Sequence, residues 1–259
     1  MVDDQKINRS RSLYYAMFSR FFIFSQDSTK YFELLSLINI LKENPIDDAT
    51  SVAFKNLSNA LQSDSNVNFI TEFDDIFHSP ESTMVGVTAS FYDEQIESGK
   101  KRVEMQNFLA KTKIRRDELK YTDYEDHIGF IFAVLSELTQ EISKGNMEYK
   151  NTVHCIFEQV LNEFVDKFSQ KVYEHENAVI FKDIIVLLNS FMALERLYLG
   201  VSKPVFRKKE ESVAPLCDTD ISDEERERRA RNKLLKAQGA KAEQESCAIG
   251  IPYDVEDDI

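Results

Sequence analysis

From Ile7 to Leu199, apolar residues return at three- and four-residue spacings, the period of helices that each bury one face. Only 7 Gly and 5 Pro occur in 259 residues, so tight turns, hairpins and Gly-rich phosphate loops have few places to form. Long helices joined by short polar connections satisfy both observations. Leu13, Met17, Phe21 and Phe24 mark a first stripe, and Leu34, Leu35, Ile38 and Leu41 a second, with Asp27 or Ser28 as its cap. Val153, Ile156, Phe157, Val160, Leu161, Phe164, Val165 and Phe168 line one long helix. The stretch Asn177–Leu199 is apolar nearly all round and is expected to be a central helix packed on several sides. With 19 Phe and no Trp, the core is aromatic and aliphatic. The expectation is one all-α domain of about nine to eleven helices over residues 1 to 204. From 205 to 259 charges come in blocks and apolar residues thin out, which reads as a largely disordered polar tail. Ser222 to Glu225 would form a capping box for one helix there, at about 222–241.

Charge and cysteine usage narrow the function classes. A net charge of −13 disfavours nucleic-acid or anionic-membrane binding and suits a basic peptide as partner. Cys155, Cys217 and Cys247 form no C-x-x-C pair, so neither a zinc site nor a disulfide framework follows. The first residues are polar and the run Phe21–Phe24 is too short for a signal segment or a span. A cytoplasmic chain without stable membrane insertion is expected. Lys100, Lys101, Arg102, Lys111, Lys113, Arg115 and Arg116 make the most basic strip, read as a solvated helix face.

Enzyme signatures are missing. None of the four His has a Glu three residues before it, and there is no nucleophile elbow, Walker loop or dinucleotide fingerprint. No cofactor is called for. Two other readings stay open. One is a helical metal-dependent hydrolase or oxidase built on Asp126 and His127, with His154 and His175. The other is a general helical adaptor using the basic strip and the tail.

The stretch Tyr121–Leu138 is the most informative. Counting from His127, the residues Phe130, Ile131, Val134, Leu135 and Leu138 form a buried stripe. Asp123 or Thr122 would cap this helix, with the acidic run in its first turn and Asp126 and His127 half in and half out of the core. Imidazole titrates near neutrality, so His127 would make recognition pH-sensitive. A second stretch, Phe77-His78-Ser79-Pro80-Glu81-Ser82, sits some forty residues earlier, where Pro80 starts a helix or shapes a turn.

The order Asp123-Tyr124-Glu125-Asp126-His127-Ile128 resembles the Glu-Pro-x-Asp-His signature of the TorD/DmsD/NarJ chaperones of molybdenum enzymes. Asp123 stands for the signature Glu and Tyr124 for its Pro, while the Asp-His pair is kept. The earlier stretch is similar to the family's Pro-Glu-Ser segment. The resemblance implies an all-helical cytoplasmic chaperone of anaerobic respiration that binds the twin-arginine leader, or the body, of a molybdoenzyme catalytic subunit. Such a chaperone delays export until the cofactor is inserted, and is a monomer or a helix-exchanged homodimer. Carried over, Asp126 and His127 become leader contacts or their supports, with Tyr124 and Glu125 beside them. Phe77, Pro80, Glu81 and Ser82 would form the other wall.

Overall fold

The computed structural model describes residues 2–25, 27–61, 65–80, 82–119 and 121–204, with Arg231. Glu81 and, apart from Arg231, the tail with its expected helix lie outside the described residues. The order is α1 (Val2–Phe22), α2 (Ser28–Leu41), α3 (Asp48–Ala60), α4 (Val67–Phe77), α5 (Ala89–Glu94) and α6 (Lys100–Ala110). Then come α7 (Ile128–Ser143), α8 (Lys150–Ile156), α9 (Asn162–Glu174) and α10 (Ile180–Leu199). A π-helical turn, Phe157–Leu161, joins α8 to α9 without a break, so the described residues carry nine helices. The fold is a single all-α domain, as the periodicity predicts.

Local chemistry starts and stops these helices. The Asp27 side chain accepts from Thr29 N to cap α2, and Asp47 with Thr50 forms a capping box on α3. Gly200, at φ 67°, closes α10 in a left-handed conformation that favours glycine. The start of α10 is capped from outside its own sequence. Glu72 of α4 is buried and accepts from the N–H groups of Val179, Ile180 and Phe181 at 2.7, 3.0 and 2.8 Å. A carboxylate there satisfies the free donors and faces the positive end of the helix.

The core is built around α7, which lies along α1, while α10 packs on α3 and α9. Every residue from Ile128 to Phe132 is buried, on all sides of the helix. Phe22 at the end of α1 sits 6.0 Å from Phe132 and 5.2 Å from Phe168, ring centre to ring centre. Such edge-on and tilted ring pairs add to the burial of apolar area. Gly129 allows this approach: a Cβ there would meet Ile23 Cγ1 at 2.6 Å and the Phe22 carbonyl carbon at 3.0 Å. The expected central helix is therefore α7 as much as α10. Residues Ile180 to Met192 supply much of the core, but Leu197 is 80% exposed and Leu194 and Tyr198 are also open to solvent.

Buried charge locks α1 to α10. Arg11 donates from Nε and Nη2 to the two Glu195 oxygens, both at 2.6 Å, and Tyr15 donates to the same carboxylate at 2.7 Å. Arg11 also donates to Asn8 and stacks on Tyr198. A planar guanidinium meeting a carboxylate at two points fixes orientation as well as distance.

Two outcomes follow from these contacts. Gly129→Ala should cost about 1–3 kcal/mol, because the new methyl meets the Ile23 side chain and, behind it, the Phe22–Ile23 backbone, which cannot easily give way; urea unfolding followed by circular dichroism reads it. Glu72→Ala should lower stability by about 2 kcal/mol through the donors it uncovers at the start of α10, measured the same way.

Candidate functional site

Arg116 builds the turn before α7. Its Nη1 donates to the carbonyls of Tyr121, Thr122 and Asp123 at 3.1, 3.4 and 3.0 Å. Its Nε donates to Glu125 Oε1 at 3.1 Å, and Arg102 Nε donates to Glu125 Oε2 at 2.8 Å. Burial alone would raise the Glu125 acid, but these guanidinium hydrogen bonds win and hold its carboxyl at about 2. The Arg102 guanidinium also lies over the Tyr124 ring, 4.3 Å from its centre. The basic strip is thus not one solvated face. Arg102 and Arg116 are spent on the turn. Lys101 is buried and donates to Glu104 and, at 2.7 Å, to the Gln159 carbonyl in the π turn.

Asp126 and His127 are inside the protein, 0% and 5% exposed, rather than half out of it. Asp126 Oδ2 accepts from Ser90 N at 2.9 Å and its carbonyl accepts from Ala89 N at 3.0 Å, so Asp126 fixes the start of α5. Its Oδ1 is buried with no partner, and burial raises its acid above the ordinary carboxylate range. The cap of α7 is His127, not Asp123 or Thr122: its Nδ1 accepts from Gly129 N at 3.1 Å. The acidic run consequently precedes the helix instead of filling its first turn. Because Nδ1 accepts, the neutral ring carries its proton on Nε2, which faces Asp123 Oδ2 at 4.0 Å. Burial pushes the imidazole down to about 4, with Asp123 opposing and His78 adding to the shift. His127 therefore stays neutral near pH 7, and the expected switch there is lost to burial.

The segment that follows the second stretch meets the first. Thr88 and His127 form an isolated antiparallel bridge, and Ile128 N donates to the Val87 carbonyl at 2.8 Å. The segment that continues from Pro80 is thereby stitched to the Asp-His turn. Within it, Phe77 is a core residue, stacked on Phe168 at 6.2 Å. Pro80 is exposed, and Ser82 is half-buried with its hydroxyl donating to the Asp75 carbonyl. The outward-facing groups around His127 are ones that sequence reasoning passed over. Asp123 is exposed; His78 is paired with Asp74 at 2.9 Å; Phe24, 37% exposed, lies against the His78 ring. A sequence signal existed only for Asp123, as an acidic neighbour of the motif.

The residues of the metal reading are not gathered. Among the described residues no group of three or more His, Cys, Asp or Glu side chains could hold a metal ion. No helix among them is long and apolar enough to cross a membrane.

With this geometry in place, comparison with known proteins identifies the class. Residues 43–170 match the family described as nitrate reductase delta subunit. That family lies within the TorD/DmsD/NarJ group of chaperones for molybdoenzyme maturation. The match runs from the approach to α3 into α9 and contains both stretches. No curated protein and no solved structure matches the chain.

The Glu125 pairs give a pH dependence. Its folded carboxyl titrates at about 2 against an ordinary 4.5, so the pairing stabilises fully above the unfolded value and drains away as pH falls from there towards 2. Glu125→Gln should flatten the loss of stability across that acid window, which melting temperatures taken from pH 6 downwards will show.

Proposed function

We propose that this chain is a cytoplasmic chaperone for the catalytic subunit of a molybdenum-cofactor oxidoreductase, of the reductase or formate dehydrogenase type. It binds the twin-arginine leader, the body of that subunit, or both, assists cofactor insertion and delays export. The observation that carries the reading is the family match over residues 43–170, together with the bridge that joins Thr88, six residues past Ser82, to His127. The domain boundary near residue 204, with a separate tail, is part of the proposal, as is a monomer or helix-exchanged dimer.

The site we propose centres on Asp126, His127, Tyr124 and Glu125 on one side and Phe77, Pro80, Glu81 and Ser82 on the other. Burial divides their labour. Asp126, His127 and Phe77 act as supports that hold the loops in place, and Glu125 is already matched by two arginines of its own chain. Arginines of a leader would be met by the open carboxylate of Asp123 and by Asp74, half-buried beside His78, and its apolar part by Phe24 and the exposed Pro80.

The test is calorimetric titration with a synthetic twin-arginine leader from a molybdoenzyme of the same source. Wild type should bind at micromolar affinity or tighter, about −8 kcal/mol or better. Asp123→Asn should weaken binding severalfold with unchanged fold, by loss of a direct charge pair. Asp126→Ala should lose binding together with thermal stability, as a support does. Absence of binding to any leader or catalytic subunit from that source would remove the reading.

A further inference from the structure

Beside the Asp-His turn lies a groove of about 340 Å³, near the lower end of the range for ligand pockets. One wall is Thr83–Val85, the irregular segment that follows Ser82; the other is the end of α9, with Lys171, Glu174, His175 and Glu176. Nothing in the motif stretches accounts for it.

Its first wall presents an open main chain. Val85 N donates to the Ile76 carbonyl and the Val87 carbonyl is taken by Ile128, but Thr83 and Met84 have no main-chain partner among the described residues. Both are exposed, and the Met84 side chain, 56% exposed, adds an apolar surface. An extended peptide pairs with such a segment through its own N–H and C=O groups.

The second wall sets the chemistry of the occupant. Glu174 and Glu176 are exposed carboxylates, and Gln170 donates to Glu174. The cation of the groove, Lys171, is turned onto aromatic faces, its Nζ 5.2 Å from the Phe91 ring centre and 5.1 Å from that of Tyr92. The open charge is therefore acidic. His175 is 7% exposed; its Nδ1 accepts from Asn177 N at 3.2 Å, which leaves the proton of the neutral ring on Nε2. That Nε2 is buried and has no partner, a donor without an acceptor in the lining of a groove.

We infer that this groove docks an extended, cationic stretch of the client leader, main chain along Thr83 and Met84, basic side chain between Glu174 and Glu176, and a carbonyl at His175 Nε2. This rests on the chaperone reading and deepens it. The first wall of the groove begins at Thr83, next in the chain to Ser82 of the proposed site.

The experiment uses the full chain and the same synthetic leader. The double variant Glu174→Gln/Glu176→Gln should weaken binding about fivefold and reduce its salt dependence, with circular dichroism and melting temperature unchanged. Thr83→Pro, which removes a main-chain donor at an exposed position, should weaken it independently. Wild-type affinity in both variants, while Asp123→Asn still weakens binding, overturns the groove and leaves the chaperone reading standing. A wild type that binds no leader overturns both. Loss of a wild-type dimer in the variants, seen by sedimentation, would assign the groove to a second copy of the chain and overturn the leader as its occupant.

Discussion

The distance between the end of α1 and the start of α7 is set at Gly129, and much else is measured from there. With no Cβ at that position, the Phe22–Ile23 backbone comes within van der Waals reach of α7. The Phe22 ring then reaches Phe132, Phe168, Phe77 and Phe181, four rings on four helices. Interiors are close-packed, so a small displacement here is transmitted rather than absorbed. Because His127 caps α7 through Gly129 N, the same residue that sets the packing also holds the cap. Asp126, one position earlier, is thereby placed to fix α5 through Ser90 and Ala89. The site is an extension of the core.

Buried charge then shapes the turn. Taking ions from water costs free energy that mutual attraction only partly returns, and removing one partner leaves the other uncompensated. Groups such as Glu125 with Arg102 and Arg116, or Arg11 with Glu195, therefore tolerate few geometries. They also consume cations. Much of the positive charge of the Lys100–Arg116 strip is turned inward or onto neighbouring carboxylates. Exposed acids at Asp123, Glu174 and Glu176 follow from that partition.

What the sequence revealed was what periodicity encodes. The stripe from Phe130 to Leu138 is buried where the spacing places it, and Asp27, one of the two expected candidates, caps α2. Partnerships across the chain have no local signal. Glu72 lies more than a hundred residues from the helix start it caps, and Arg102 is 23 residues from Glu125. A run of basic residues therefore reads as solvated although the fold supplies carboxylates for it. His127 was misread for the same reason: helical phase places a residue on a face but does not say how deep that face lies. Leu197 shows the converse, an apolar residue in phase with a buried helix yet left in solvent.

This asymmetry bears on how a chaperone of this kind recognises its client. The positions that carry the family resemblance, Asp126 and His127 above all, are the ones water cannot reach, so they specify the shape of a loop rather than the partner that meets it. The groups that a peptide can touch, Asp123, Phe24, Met84, Glu174 and Glu176, carry little or none of that resemblance. Specificity is a difference of affinities between partners, and only exposed groups generate such a difference directly. A motif whose Asp-His pair is buried therefore predicts a common platform, and the choice of client would fall to the exposed groups around that pair.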